Sequence, residues 1–416
     1  MRILHTSDWH LGRTLHGVDL LTHQAAYLDH LVELARAEDV GAVVVSGDVY
    51  DRAIPPLEAV QLLADALARL SERAPVILTP GNHDSAIRLG FAASLFRDGV
   101  HLRARVADVG RPVELADEHG PVLVFALPYL DPDAARHELA GEGERAGDGG
   151  GGAGGGDRAP LARSHEAVMS AAMRRIRADL ASRGGGRSVV MAHAFVLGGQ
   201  ASESERDIRV GGVDSVPATA FEGVDYVALG HLHGAQRISF PVAPAPPSST
   251  PDARPSSPPV LQYSGSPLTY SFSEMHHRKA TALVELGAHG VVGEVELVAA
   301  PVPRRLAEVV GPLADLLSEA GEPHVDSWLR VVVTDAARPD QLYARVRSRF
   351  PHVLAVEHRP PAREGVGPVA AITAAHDPLE VAAEFVEHVT GGPATPDEVE
   401  VLRRAYEQVL AAERSA

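Results

Sequence analysis

The sequence predicts an α/β protein in which two sheets pack face to face under covering helices, followed by a small α/β domain and two terminal helices. Three observations lead there. Short apolar runs alternate with amphipathic stretches over the first 130 or so residues, the pattern of strands whose sheet is covered by helices. Asp, Asn and His cluster directly after those runs, and in such folds ligands gather beyond the carboxyl ends of the strands. A shorter strand–helix–strand pattern then follows a composition shift at residues 301–303.

In chain order, residues 2–6 are expected as a strand, 21–36 as a helix, 42–45 as a buried strand, 57–70 as a helix, and 76–78 and 122–127 as strands. Residues 141–156 are mostly glycine and read as a flexible linker, part of an insert over 141–160 with nothing to bury. A helical pattern resumes over 161–180, then strands at 188–192 and 225–229 lead to further histidines. Residues 241–259, rich in Pro and Ser, read as a disordered surface insertion. Segments 260–263, 281–286 and 291–298 are expected to form an antiparallel second layer. Residues 328–334, 339–350 and 353–358 read as strand, helix and strand of a domain over 301–362. Within 376–416, Leu379, Ala382, Ala383 and Val386 line one helix face, and Val399, Leu402, Tyr406, Val409 and Leu410 the next.

Composition narrows the chemistry. A chain of 416 residues suggests two or three domains, and 45% hydrophobic with 22% charged residues is a globular balance. There is no cysteine, so a metal must be held by oxygen and imidazole nitrogen, which favours manganese, magnesium or iron over structural zinc. A formal net charge of −17 argues against coating nucleic acid by bulk attraction; any grip on DNA must be local or borrowed from a partner. Lys279 is the only lysine, so nearly all positive charge is arginine. Neither a signal-peptide stretch nor an apolar run long enough to span a bilayer is found, and a cytoplasmic location is expected.

The centre of the chemistry is Gly81-Asn82-His83-Asp84. Asp8-Trp9-His10, Gly47-Asp48, His193 and Gly230-His231-Leu232-His233 share its character. Residues two apart at an extended strand end point to one side, so Asp8 and His10 can grip one metal, as can His231 and His233. Asp48 can bridge two cations and Asn82 offers a neutral oxygen. Two divalent ions set against Asp8 and Asp48 leave the centre positive, which suits an anionic substrate. Such ions, about 3.5–4 Å apart, can lower the pKa of a bridging water to about 7 for an in-line attack on phosphorus. His83 is then free to protonate the leaving oxygen, with Asp84 to orient it. Taken singly, each cluster has a plainer reading: a surface Asp-X-His pair, a turn at Gly-Asn, a core histidine at 193. Five such clusters in one order are improbable by chance.

That order, Asp8-X-His10, Gly47-Asp48, Gly81-Asn82-His83-Asp84, His193 and Gly230-His231-X-His233, resembles the calcineurin-like metallophosphoesterases. The segments Ser7-Asp8-Trp9-His10-Leu11-Gly12, Gly47-Asp48-Val49-Tyr50-Asp51-Arg52, Leu127-Pro128-Tyr129-Leu130 and Tyr263-Ser264-Gly265-Ser266-Pro267 are similar to the SbcD family, nuclease subunits of bacterial SbcCD exonuclease complexes. The resemblance implies a four-layer αββα sandwich domain over 1–300. It implies one manganese on Asp8, His10, Asp48 and His233, a second on Asp48, Asn82, His193 and His231, and His83 as the catalytic histidine. It further implies a DNA-capping role for the small α/β domain, terminal helices that dock on an SbcC-like ATPase, and a homodimer that degrades double-stranded DNA ends and opens hairpins in repair and recombination. Where some relatives carry a second histidine shortly after the bridging aspartate, this chain has Asp51. Arg13 and Arg52 beside the site, and Arg88, Arg97, Arg103, Arg105 and Arg111 downstream, are candidate phosphate contacts. The rival readings are a stand-alone phosphoesterase for a nucleotide or phosphoprotein, and a non-catalytic scaffold, which would not keep Asp48, Asn82 and His83 together. Deleting residues 141–156 is expected to leave metal-dependent activity largely unchanged; a collapse in a phosphodiesterase assay would show that the linker does more than connect.

Overall fold

The computed structural model describes residues 1–96, 99–140, 159–208, 215–241, 258–361, 377–390 and 392–413. Most of the two inserts expected at 141–160 and 241–259, Arg97, and the side chains of Val409 and Leu410 lie outside the described residues. The chain forms two compact units, Met1–Pro360 and Pro361–Ala416.

In the first unit the elements run β1 (Arg2–Thr6), α1 (Leu21–Ala37), β2 (Ala42–Ser46), α2 (Leu57–Ser71), β3 (Val76–Thr79), β4 (Val100–Leu102), β5 (Val113–Asp117) and β6 (Gly120–Ala126). There follow α3 (Pro132–Glu138), α4 (His165–Ser182), β7 (Arg187–His193), β8 (Tyr226–Gly230), β9 (Gln236–Ile238), β10 (Val260–Tyr263) and β11 (Ala280–Gly287). Short β12 (Gly290–Val291) and β13 (Glu296–Ala299) precede a final group of β14 (Leu306–Gly311), β15 (Trp328–Val333), α5 (Leu342–Arg349) and β16 (Val353–His358). Local chemistry sets the helix starts. The Asp131 carboxylate accepts the Asp133 and Ala134 N–H groups with Pro132 at the first helical position, and Ser164 caps α4 through the Ala167 N–H.

Period-2 alternation then divides the strands into layers. One sheet has the order β12-β11-β1-β2-β3-β4, with β13 also on β11; the other runs β9-β10-β8-β7-β6-β5. Ile3, Ala42, Val44, Ile77, Val122, Val124, Val189, Met191, Tyr226 and Ala228 fill the space between the sheets. The alternate residues turn outward. Leu4, Val43, Val45, Val76 and Leu78 meet α1 and α2, while Leu123, Phe125, Val190, Val227 and Leu229 meet α4. Both faces of the central strands are thus covered, which explains why they read as unbroken apolar runs rather than as alternation. The layering is helix, sheet, sheet, helix.

The three segments expected to form an antiparallel second layer do not do so. β10 lies parallel to β8 in the second sheet, whereas β11 extends the first sheet antiparallel to β1 and β13 pairs antiparallel with β11. Alternation reports a buried face and says nothing about which sheet a strand joins. The small sheet β14-β15-β16 is fully parallel, and its first strand, over 306–311, adds to the expected strand–helix–strand. Leu306 and Trp328 pack with Leu15, Leu20, Leu268, Tyr270 and Phe272 of the larger sandwich.

In the second unit α6 (Pro378–Thr390) packs on α7 (Pro396–Glu413). Thr395 and Glu398 form a reciprocal capping box, the Thr395 N–H and hydroxyl each 2.8 Å from the Glu398 carboxylate. Among the described residues no helix is long and apolar enough to cross a membrane.

His5 stands among the inward-facing residues of β1, buried, with Nδ1 2.8 Å from the Tyr226 hydroxyl. Burial draws its pKa from the ordinary 6.5 down to about 3. Between those values the unfolded chain binds a proton that the folded chain does not, so stability from this group is intact above pH 6.5 and falls as pH drops. The slope is about 1.4 kcal/mol per pH unit for one such group. Urea unfolding between about pH 6.5 and 4 is expected to show a loss of stability that His5→Gln reduces by one proton's share; an unchanged slope would assign the acid sensitivity elsewhere.

Candidate metal centre

Asp8 and His10 follow β1, Asp48 follows β2, Asn82 and His83 follow β3, His193 ends β7, and His231 and His233 follow β8. These strand ends come together where the two sheets touch. The Ser46 hydroxyl donates to the Ala228 carbonyl at 2.9 Å, and the Ser46 carbonyl lies 3.0 Å from His193 Nδ1. A Cβ on Gly230 would stand 1.8 Å from that same carbonyl oxygen, and one on Gly81 would stand 2.2 Å from Asp48 Oδ1. Only glycine permits either approach.

Asp8 (φ 54°), His10 (φ 44°), Asp48 (φ 48°) and His231 (φ 104°) all have positive φ, a conformation costing about 1–3 kcal/mol for such residues and concentrated at functional sites. The Asp8 and His10 N–H groups donate to the Gly47 and Asp48 carbonyls, both at 3.0 Å, and hold the two loops in this shape. Asp8-X-His10 and His231-X-His233 therefore do not continue as the extended strand ends expected for them: left-handed backbone at Asp8 and His10, and a positive φ at His231, aim these side chains instead of pleating. Trp9 does turn away, into the layer of α1 and α2, with its indole N–H on Thr6 Oγ1 at 2.9 Å.

Asp8, His10, Asp48, His193, His231 and His233 are buried. Three overlapping groups, Asp8/His10/His233, His10/Asp48/His83 and Asp8/Asp48/His193, each bring one donor atom per residue within 4.8 Å of the others. Asp48 Oδ2 lies 3.4 Å from His193 Nε2 and 3.7 Å from His10 Nε2. On one side of it, His10 Nε2 and His233 Nε2 face each other at 3.1 Å. On the other, Asn82 Oδ1 is 2.8 Å from His193 Nε2 and 3.3 Å from His231 Nδ1. Oxygen and imidazole nitrogen converging in this way form a donor set suited to divalent ions such as manganese.

The electrostatics agree. Burial raises the Asp8 pKa to about 6 against the pull of His193 and His233. Burial likewise opposes ionisation of Asp48 and protonation of His193, yet their attraction wins: Asp48 is held well below the carboxylate range and His193 rises to about 9. A cation is wanted at this spot, and a proton or a metal ion on His193 Nε2 meets the same acceptors.

His83 presents Nε2 to Asp48 Oδ2 at 3.9 Å, farther than either His10 or His193, while its Nδ1 is 2.7 Å from the Asp51 carbonyl. Burial lowers its pKa against the attraction of Asp48. The expectation that Asp84 orients His83 needs correction. The Asp84 carboxylate instead accepts the Gly81, Val49 and Tyr50 N–H groups at 2.9, 3.0 and 2.9 Å and so ties the loop after β2 to the loop after β3. The hydrogen-bond partner of the His83 imidazole is the Asp51 main chain. Arg13 lies 3.5 Å from the Asp51 carboxylate and stacks over Tyr270, whereas Arg52 is exposed.

Further residues stand beside the centre. Glu274 and Lys279 are buried behind His233, with Ser204 and Glu205 between. Burial would raise Glu274, but Lys279 and His233 hold it well below its usual range. Arg206 reaches the Asn82 carbonyl at 3.3 Å. None of these belongs to a local motif; the singular lysine was the one available signal.

Residues 1–235 match the family model described as calcineurin-like phosphoesterase. Residues 302–390 match SbcD_C, described as the type 5 capsule protein repressor C-terminal domain. A solved structure, TT1561 of Thermus thermophilus, aligns at 15% identity over 72% of this chain and 98% of that chain with a TM-score of 0.36, too distant to inform the site. With clustered Asp and His donors at the strand ends and the first match spanning more than half its length, the chain belongs to the calcineurin-like phosphoesterase family, as a metal-dependent hydrolase.

Proposed function

We propose that the chain is a manganese-dependent DNA nuclease subunit, a double-strand exonuclease and single-strand or hairpin endonuclease that works with an SbcC-like ATPase in cytoplasmic DNA end processing, repair and recombination. The observation that carries this reading is the joining of the converged donor set to a C-terminal region that matches SbcD_C. A phosphoesterase for small substrates requires neither the extra three-stranded sheet nor the helical pair that follows it in sequence.

In this reading Asp8, His10, Asp48 and His233 hold one ion and Asp48, Asn82, His193 and His231 the other. When bound, the pair supplies an activated water and stabilises charge on the phosphoryl group. The remaining work falls to the chain. Asp48 Oδ1 accepts the His83 main-chain N–H at 2.8 Å, which fixes His83 against the Asp48 carboxylate and leaves its Nε2 facing the centre. An arriving phosphate anion favours the imidazolium form, with Nδ1–H on the Asp51 carbonyl and Nε2–H offered to the leaving oxygen. Arg206 and Arg52 add positive charge at the rim of an otherwise acidic chain.

Partners are read from exposed apolar side chains. Ile54 and Leu57, in the crossover after β2, and Ile87, Phe91 and Leu95, in the crossover after β3, are each more than 60% exposed and would serve self-association. Phe385 and Val389 on α6 and Val401 on α7 are likewise exposed and would meet the ATPase. The domain over 301–362 would cap DNA over the centre.

Cleavage of a labelled duplex is expected to fall about 10²–10⁴-fold in His83→Ala with bound manganese unchanged. Loss of manganese would make His83 a ligand, and cleavage of a small phosphodiester alone, even with the ATPase supplied, would favour the stand-alone enzyme. Arg52→Ala is expected to lower the log–log salt slope of DNA binding by about 0.9, the share of one phosphate contact. An unaltered slope would remove Arg52 from the interface.

A further inference from the structure

Glu274 and Lys279 form a solvent-excluded ion pair directly behind His233, and neither belongs to the donor set. A buried ion pair is seldom more stabilising than apolar residues of the same volume, so its position asks for another reason. Lys279 is the only lysine of a chain that otherwise carries its positive side-chain charge on arginine. Its ammonium donates to the Glu274 carboxylate, to Ser266 Oγ at 2.8 Å and to the His233 carbonyl at 3.0 Å. Three donors on one nitrogen suit three acceptors converging on a point; the planar guanidinium fork does not.

The other oxygen of Glu274 faces the imidazole. Glu274 Oε1 accepts the Ser204 hydroxyl and lies 3.1 Å from His233 Nδ1, and Ser204 Oγ is 2.7 Å from that same nitrogen. The carboxylate has no proton to give and the serine proton points at the carboxylate, so Nδ1 is the donor. Nε2 keeps its lone pair and aims it at the centre, opposite His10. Glu205 Oε1 accepts the His233 main-chain N–H at 2.8 Å, which fixes the residue from a second direction.

We propose that Glu274, clamped by Lys279, is a positioning residue that locks His233 into the Nδ1-protonated tautomer and thereby makes it competent to hold one of the two metal ions. The inference rests on the metal-centre reading above. Its effect is one-sided, because His193 has an orienting group of its own in the Ser46 carbonyl.

The test is a manganese titration of the full-length chain after chelation, followed by calorimetry and electron paramagnetic resonance. Wild type, Glu274→Gln, Ser204→Ala and Lys279→Arg are compared, with thermal unfolding of the same metal-free samples. Wild type is expected to bind two ions that give a spin-coupled signal. Glu274→Gln should keep the ion beside His193 at wild-type affinity and weaken the other about 10–100-fold, the usual cost of losing such a partner, so that an isolated-manganese signal replaces the coupled one. Ser204→Ala should show a smaller loss at the same site, and Lys279→Arg should fail to preserve it. Unchanged affinity for both ions in Glu274→Gln overturns the proposal. Equal weakening of both, in step with a fall in unfolding temperature, also overturns it and leaves Glu274 a structural support. If Glu274→Gln does not fold, Ser204→Ala carries the same decision. A wild-type chain that binds no manganese refutes the metal-centre reading itself.

Discussion

The centre depends on a contact between two backbones. At Ser46 and Gly230 the sheets approach so closely that not even a methyl group fits between them. Everything else about the site follows from that approach. It sets the end of β7 beside the end of β2, so that the Ser46 carbonyl can orient His193 and Asp48 can lie within reach of donors from both sheets. The two layers are held in register by the close-packed side chains between them, where a change of one methylene is felt. The geometry of the donors is thus a property of the whole sandwich.

Once the strand ends meet, the loops resolve a conflict of charge. Two carboxylates and several imidazoles share a dry volume, where an unpaired charge is expensive. The loops answer with backbone strain and main-chain donors. Positive φ at Asp8, His10 and Asp48 turns side chains inward, and the His231 N–H on Asp8 at 3.1 Å and the His83 N–H on Asp48 at 2.8 Å steady the carboxylates. Asp84, accepting three amides from two loops, is the fastener between them.

Much of this was legible in the sequence because strand ends announce themselves. An apolar run that stops at Gly-Asp or Gly-Asn-His marks both the strand and the point where its chemistry begins, so the strands carrying Asp48, Asn82, His193 and His231 could be read locally. What could not be read was non-local. The partners of β10 and β11 depend on the whole topology, so segments whose alternation suggests one antiparallel layer divide between two sheets. Asp-X-His spacing implies a pleated strand end only if the backbone stays extended, and at Asp8 and His10 it turns left-handed instead. Asp84 beside His83 in sequence suggested a pair, yet main-chain amides won the carboxylate. Glu274 and Lys279 stand 41 and 46 positions from the histidine they serve, with no motif to join them.

The near absence of lysine has a practical side. The only ε-amine in the chain lies in the interior, 5% exposed and already committed to three acceptors. Reagents and enzymes that acylate lysine therefore find no accessible target on the folded surface. A surface whose side-chain cations are guanidinium groups instead holds its charge at any physiological pH and offers flat, two-pronged contacts. Side-chain labels and cross-links on this protein must go through groups other than a surface lysine, such as its carboxylates, hydroxyls, imidazoles or arginines.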